Sequence, residues 1–275
     1  MLLGALAVFV GASIAGNGYL TVIGLPVIAG ALALLGGISR PLALASGRIL
    51  PLVVIATSLE GVSPAGGVAA LLFVVGCAWT ILVSLTLHGI LPAGVPVVEP
   101  VQQPKVVPWR YLVRRWRGTL RTLEGWRFTL RLVPCLLAAE VVARNWGRGH
   151  GHWIALTVVL VVQRDLSAAL TRTLQRATGT LAGVILGGLF MAMGPPAWGS
   201  VVAIAVLAAA RPVLRSGNYM AYSAAMTPLV ILLMDLGAQD LASSLIDRLL
   251  ATLIGCALAL ALGYFPWSGR AARER

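Results

Sequence analysis

Residues His152–Gly188 read HWIALTVVLVVQRDLSAALTRTLQRATGTLAGVILGG. A short apolar run, Trp153–Val162, ends in Gln163, Arg164 and Asp165. A polar-studded stretch carrying Arg172 and Arg176 follows, and a second apolar run begins at Gly179 with glycines spaced by four. Two spans joined by an arginine-bearing turn are the expectation. Such a hairpin is the expected core of a membrane transport module, with a degraded copy of it opening the chain.

The composition sets the class. The chain has 275 residues, 59% hydrophobic and 11% charged, with mean hydropathy +0.91. Soluble domains carry about 25% charged residues. Apolar runs near the roughly 20 residues that cross a bilayer as helix recur along the chain. The predicted fold is all-α, a polytopic transmembrane helical bundle. A barrel is excluded, because its strands alternate and are about half as long. The net charge of +12 suits cytoplasmic loops of a multi-pass protein. The basic residues sit at span ends and in one linker, leaving no folded nucleic-acid domain. Cys77, Cys135 and Cys256 lie in apolar runs without a CxxC pair, so no disulfide framework or zinc site is read.

Apolar runs in the first block are Leu2–Gly16, Tyr19–Gly37, Leu50–Leu59 and Gly66–Leu87. Then Pro92, Pro96, Pro100, Pro104 and Pro108 recur by four, the pattern of an extended connector. From Pro108 to Glu124, Trp109, Leu112, Val113, Trp116, Leu120 and Leu123 share one helical face. Arg110, Arg114, Arg117 and Arg121 share another. This predicts a basic amphipathic helix in a membrane interface, running on into the next crossing. The second block offers Phe128–Val142, Trp153–Val162, Gly179–Met193, Trp198–Ala210, Tyr219–Met234 and Leu245–Tyr264. Pro195–Pro196 and Arg211–Pro212 are read as turns. With the linker cytoplasmic, alternation gathers Arg164, Arg172, Arg176, Arg211, Arg215, Arg270, Arg273 and Arg275 on the inner side, which obeys the positive-inside rule. Arg144, Arg148, Asp235 and Asp240 fall on the outer side. The domain expectation is 1–90, a shortened N-terminal repeat; 91–125, the connector and linker helix; 126–267, a six-span repeat; and 268–275, a basic cytoplasmic tail.

The blocks read as two weakly similar repeats, about ten spans in all. Ala5-Leu6-x-Val8 lies on Ala155-Leu156-x-Val158, Pro51–Ile55 on Pro228–Leu232, and Gly76-Cys77-Ala78 on Gly255-Cys256-Ala257. A parallel repeat, a common transporter plan, requires Ser39–Leu59 to fold as two short or re-entrant segments. The first block also lacks a counterpart of Phe128–Val142, which a start upstream of Met1 would supply.

No catalytic, cofactor or metal motif is present. The glycine-rich Gly147–His152 follows no strand, and His150 and His152 are read as outer-loop residues. Ionisable groups in spans are costly and face a bundle interior or a watery path. Arg131 and Glu140 lie in one predicted span; Asp247 and Arg248 open the last. Arg172 and Arg176, four apart, share a helical face able to attract carboxylates. Gly179, Gly183 and Gly187 share a face that permits close helix packing.

Trp153-Ile-Ala-Leu-Thr157, Arg172, Arg176-Ala-Thr-Gly179-Thr180-Leu-Ala-Gly183 and Arg248-Leu-Leu-Ala-Thr252-Leu-Ile-Gly255 together resemble the signature of the fusaric acid resistance protein-like family. The resemblance covers about Arg127–Trp267. It implies a bacterial inner-membrane protein exporting aromatic or other organic acids, with plant anion channels as distant relatives. It marks Trp153, Thr157, Arg172, Arg176, Gly179, Thr180 and Arg248 as pattern positions. Long family members add a large cytoplasmic domain and a fuller N-terminal half, so a homo-oligomer or partner subunit is expected to complete the path here. The functional expectation is a permease exporting small organic anions, not an enzyme, and without cofactor. Arg172, Arg176 and Arg248 would supply positive field, Glu140 or Asp247 would carry protons, and Arg131, Trp153, Thr157 and Thr180 would line the path. A passive anion channel and a non-transporting scaffold are the alternatives.

Overall fold

The structure, a computed structural model, describes residues 1–58, 66–90, 108–147, 150–234 and 241–273. The proline-spaced connector up to residue 107, Arg148, Asp235, Asp240 and Arg275 lie outside them. Among the described residues every regular element is helical: α1 (Leu2–Ile14), α2 (Tyr19–Leu35), α3 (Arg40–Thr57), α4 (Gly66–Ile90), α5 (Trp109–Thr119), α6 (Leu123–Arg144), α7 (His152–Val161), α8 (Ser167–Ala192), α9 (Ala197–Gly217), α10 (Tyr219–Met234), α11 (Leu241–Gly263) and α12 (Phe265–Arg273). They form two compact units, Met1–Thr129 and Leu130–Arg275. Four helical stretches among the described residues are long and apolar enough to cross a membrane: Arg40–Thr57, Gly66–Thr86, Ala197–Gly217 and Ser243–Gly269. Leu2–Ile14, Tyr19–Leu35, His152–Val161 and Tyr219–Leu233 are shorter apolar helices.

In the first unit α1 packs on α3 and α4. Gly11 makes this possible, since a Cβ there would stand 2.5 Å from the Val53 carbonyl oxygen. Val8, Ala56 and Ala69 form the buried cluster, with Ala12 and Phe73 against it. The stretch that a parallel repeat requires to be two short or re-entrant segments forms one helix, α3, from Arg40 to Thr57. Ser39 caps it, its hydroxyl accepting from the Leu42 N–H at 3.4 Å, and Pro51 sits within it without ending it. The linker helix stops at Thr119 and does not run on. Gly125 lies where a Cβ would come within 2.4 Å of the Thr119 carbonyl oxygen, and the Trp126 indole donates to the Leu120 carbonyl at 2.9 Å. The result is a tight corner between α5 and α6.

In the second unit the arginine-bearing stretch is not a turn. Val162 is extended (ψ 105°) and ends α7. Asp165 then accepts from the Ser167 N–H at 2.9 Å and the Ser167 hydroxyl at 2.8 Å, covering an open donor at the start of α8. No breaker follows until Met193, so Arg172 and Arg176 are helical. The positive-inside count had placed them in a loop. The expected turn at Arg211–Pro212 is likewise absent, because α9 continues through Pro212 to Gly217. The tail expected from 268 is helical as far as Arg273.

Close helix packing in this unit follows the small residues. A Cβ on Gly179 would lie 2.5 Å from the Met220 carbonyl oxygen, and one on Gly183 would lie 2.4 Å from that of Ala224. Pro228 has no N–H, so the Ala224 carbonyl has no intrahelical donor; the Gly183 backbone faces that freed oxygen. Gly255 brings α11 against α7, a Cβ there falling 2.7 Å from that of Thr157. Gly187 faces the Leu245 and Pro228 side chains. His150 lies in the turn before α7, where it stacks on Trp153 at 4.5 Å between centroids.

Candidate functional site

The second unit holds a line of cationic side chains inside its helices. Arg172 and Arg176 are one turn apart on α8, about 6 Å along its axis. The Arg172 guanidinium carbon lies 3.4 Å from the centre of the Tyr219 ring at the start of α10. Asn218 fixes that start, its side-chain oxygen accepting from the Met220 N–H at 2.9 Å. Arg176 is only 2% exposed and donates through Nη1 to the Ser223 hydroxyl at 3.3 Å. Ser223 sits 3.4 Å from the Thr180 hydroxyl. On α11, Arg248 is 2% exposed, with its guanidinium carbon 4.8 Å from the centre of the buried Trp153 ring. Helix α8 packs on both α10 and α11, so the three arginines lie within one packed group of helices.

The hydrogen-bond account of this site is open on the donor side. Arg172 Nε, Arg176 Nε, Arg248 Nε and Nη1, the Tyr219 hydroxyl and the Thr252 hydroxyl are buried without a partner among the described residues. A buried polar atom left unpaired costs about 1–3 kcal/mol, and more when charged. Unpaired arginines inside a bundle are retained when something else meets them. What meets them must accept hydrogen bonds and carry negative charge. Two oxygens on one plane suit a guanidinium best. Thr157 does not add to this set, because its hydroxyl donates to the Trp153 carbonyl at 2.9 Å.

The remaining candidates divide. Asp247 faces His150, with Nδ1 to Oδ2 3.6 Å, and His150 in turn stacks on Trp153. An acidic group thus stands beside the Trp153–Arg248 end of the line. Glu140 is buried on α6, with no hydrogen bond or ion pair to a described residue. Arg131 serves elsewhere: its Nε donates to the Gly263 carbonyl at 2.6 Å and its Nη1 to the Arg164 carbonyl at 3.5 Å. The first contact sets a cation on the last carbonyl of α11, where the helix dipole favours it. Gly179 and Gly183 sit at backbone contacts. A separate cavity of about 600 Å³ runs along α8, α9 and α10 past Phe190, Val206 and Leu232; it is lined by apolar residues and lies apart from the arginines.

Sequence reasoning missed Tyr219 and Ser223; it quoted Thr252 only within the family pattern and read His150 only as an outer-loop residue. One signal was present: Tyr219, Ser223 and Thr227 recur by four along an otherwise apolar helix. Among the described residues no three His, Cys, Asp or Glu side chains gather where a metal ion would be held.

Residues 135–262 match the model of the fusaric acid resistance protein-like family. All three arginines, Trp153, Tyr219 and Ser223 fall within the match. An uncharacterized protein of Haemophilus influenzae is 33% identical over 141 residues, 51% of this chain and 20% of that protein. The inner membrane protein YccS of Escherichia coli is 29% identical over 141 residues, again 51% of this chain and 20% of its own length. An uncharacterized protein of Neisseria gonorrhoeae, ORF2, is 26% identical over 141 residues, 34% of its length. The matched segment is thus about a fifth of the length of the first two relatives. No solved structure matches.

Proposed function

We propose that this multi-pass membrane protein is a permease module for small organic acid anions, bound at Arg172, Arg176 and Arg248. The observation that carries the reading is Arg248: buried in the same helix group as the buried Arg176, with two guanidinium nitrogens unpaired among the described residues. An anion replaces the missing partner and offsets the cost of burying like charges together. Tyr219 and Ser223 at one end, and Trp153 with the His150–Asp247 pair at the other, set the limits of the path. In this reading the chain has about ten crossings in two weakly similar repeats and sits in a bacterial inner membrane. The linker and C-terminus face the cytoplasm, and Glu140 or Asp247 carries the coupling proton. A second copy or a partner subunit completes the path in this reading. The inner-membrane name of the Escherichia coli relative supports the location.

Proteoliposome flux of radiolabelled benzoate tests this. Flux that requires an imposed proton gradient is the expected result. Current independent of a gradient would make the module a passive channel. No flux above protein-free vesicles, from protein shown to be inserted, would refute transport.

A further inference from the structure

We infer that α5 is a binding site for an anionic glycerophospholipid, its phosphate held by Arg110, Arg114 and Arg117 and its glycerol end laid against Trp109 and Val113. The site is separate from the arginine cluster of the second unit and stands whether or not that cluster carries anions. Arg110, Arg114 and Arg117 are spaced by four and three, which sets them in one stripe, and Arg121 follows just past the helix end. All four are exposed. Together with Trp109, Val113 and Gly118 they line a concavity of about 690 Å³ in the surface of α5. Gly118 leaves this space open, since a Cβ there would meet nothing within 4 Å.

Three features point to a lipid rather than to solvent. First, α5 contains no acidic residue, and among the described residues none of these arginines has an ion pair or hydrogen bond. Second, the concavity is not uniformly polar: its arginine side adjoins an indole and a valine, matching a molecule that is anionic at one end and apolar at the other. A free phosphate would leave the apolar wall unused. Third, the helix is anchored within its own unit. The Trp116 indole donates to the Leu34 carbonyl at 2.9 Å, next to the end of α2, and Gly37 allows that ring within 3.4 Å of where a Cβ would be. The corner at Gly125 and Trp126 fixes the other end. A basic helix pinned in this way lies among headgroups, where guanidinium groups bind phosphate in fork geometry.

The test uses the full-length protein in detergent with dioctanoyl-phosphatidylglycerol as the probe, binding being counted by native mass spectrometry. Each basic residue near an anionic lipid surface contributes about fivefold in affinity. Arg110→Gln/Arg114→Gln/Arg117→Gln is therefore expected to bind on the order of a hundredfold more weakly. Arg115→Gln, outside the concavity, is expected to bind like the parent, and the phosphatidylcholine analogue is expected to bind far more weakly than phosphatidylglycerol. Should the triple variant lose helicity by circular dichroism, Arg114→Gln alone reads the same effect at about fivefold. Unchanged binding in the folded triple variant or in Arg114→Gln would overturn the assignment. So would an equal loss in Arg115→Gln, or displacement of the lipid by an equal concentration of inorganic phosphate.

Discussion

The two units are made of similar material and differ in what they bury. In the first, among the described residues, the interior is Ala7, Val8, Leu25, Ala29, Leu50, Val53 and their like, with Ser46, Thr57 and Thr129 as its polar members and no charge. In the second, Arg131, Glu140, Arg176, Asp247 and Arg248 are buried. Both units pack by the same device, a glycine pressed on a neighbouring carbonyl: Gly11 on Val53, Gly179 on Met220, Gly183 on Ala224. Among the described residues, the first unit therefore shows helices of this composition closing together without internal charge. Arg131 has a structural use as a helix-end cation. Arg176 and Arg248 have none that matches their cost, and this difference between the units is what supports the proposed anion.

Four sets of substitutions break or sharpen this contrast. The largest effect is expected from Arg176→Gln/Arg248→Gln, which removes two charges from the site; truncating charged hydrogen-bonding partners costs about 2–5 kcal/mol, so benzoate flux in proteoliposomes should fall about 30-fold or more. Next come the shared contacts. Gly11→Ala and Gly183→Ala should each destabilise by about 1–3 kcal/mol, as overpacking does. In contrast, Gly76→Ala, with nothing within 4 Å of the new carbon, should be neutral or stabilising in thermal unfolding. Third, Arg248→Met should unfold at a higher temperature than the parent when no anion is present, by about 1–4 kcal/mol in stability, because an unpaired buried cation is replaced by a side chain that packs. The same exchange has no counterpart in the first unit. Smallest is Ser223→Ala. It removes the hydroxyl that receives Arg176 and should weaken benzoate binding by about fivefold, the value of one hydrogen bond, in equilibrium dialysis.

Much of the fold was legible because hydropathy in spans is a strong signal. Helix ends and turns were less so. Arg172 and Arg176 read as a turn because charge near apolar runs usually marks one; the cap at Asp165, which starts α8 before them, is a local hydrogen bond that a charge count does not register. Pro212 read as part of a turn, yet it lies inside α9, since spans tolerate a proline better than soluble helices do. At the site, Arg248 was visible as a charge in an apolar stretch. Ser223 was not, because hydroxyls are cheap in helices, where they bond to the preceding turn. His150 gained its place from Asp247 and Trp153, and the Asp247 contact is formed by the fold and not by the neighbouring sequence.

The central claim is that the paired buried arginines hold an anion. Thermal unfolding of the purified protein with increasing benzoate measures this directly, with uncharged benzamide as the control. Ligand that binds only the folded state stabilises by about 2.7 kcal/mol at a hundred times its dissociation constant. The account predicts that benzoate raises the melting temperature of the parent, that benzamide does not, and that Arg176→Gln/Arg248→Gln shows no rise with either. An equal rise with benzamide, or an undiminished benzoate effect in the double variant, would contradict it.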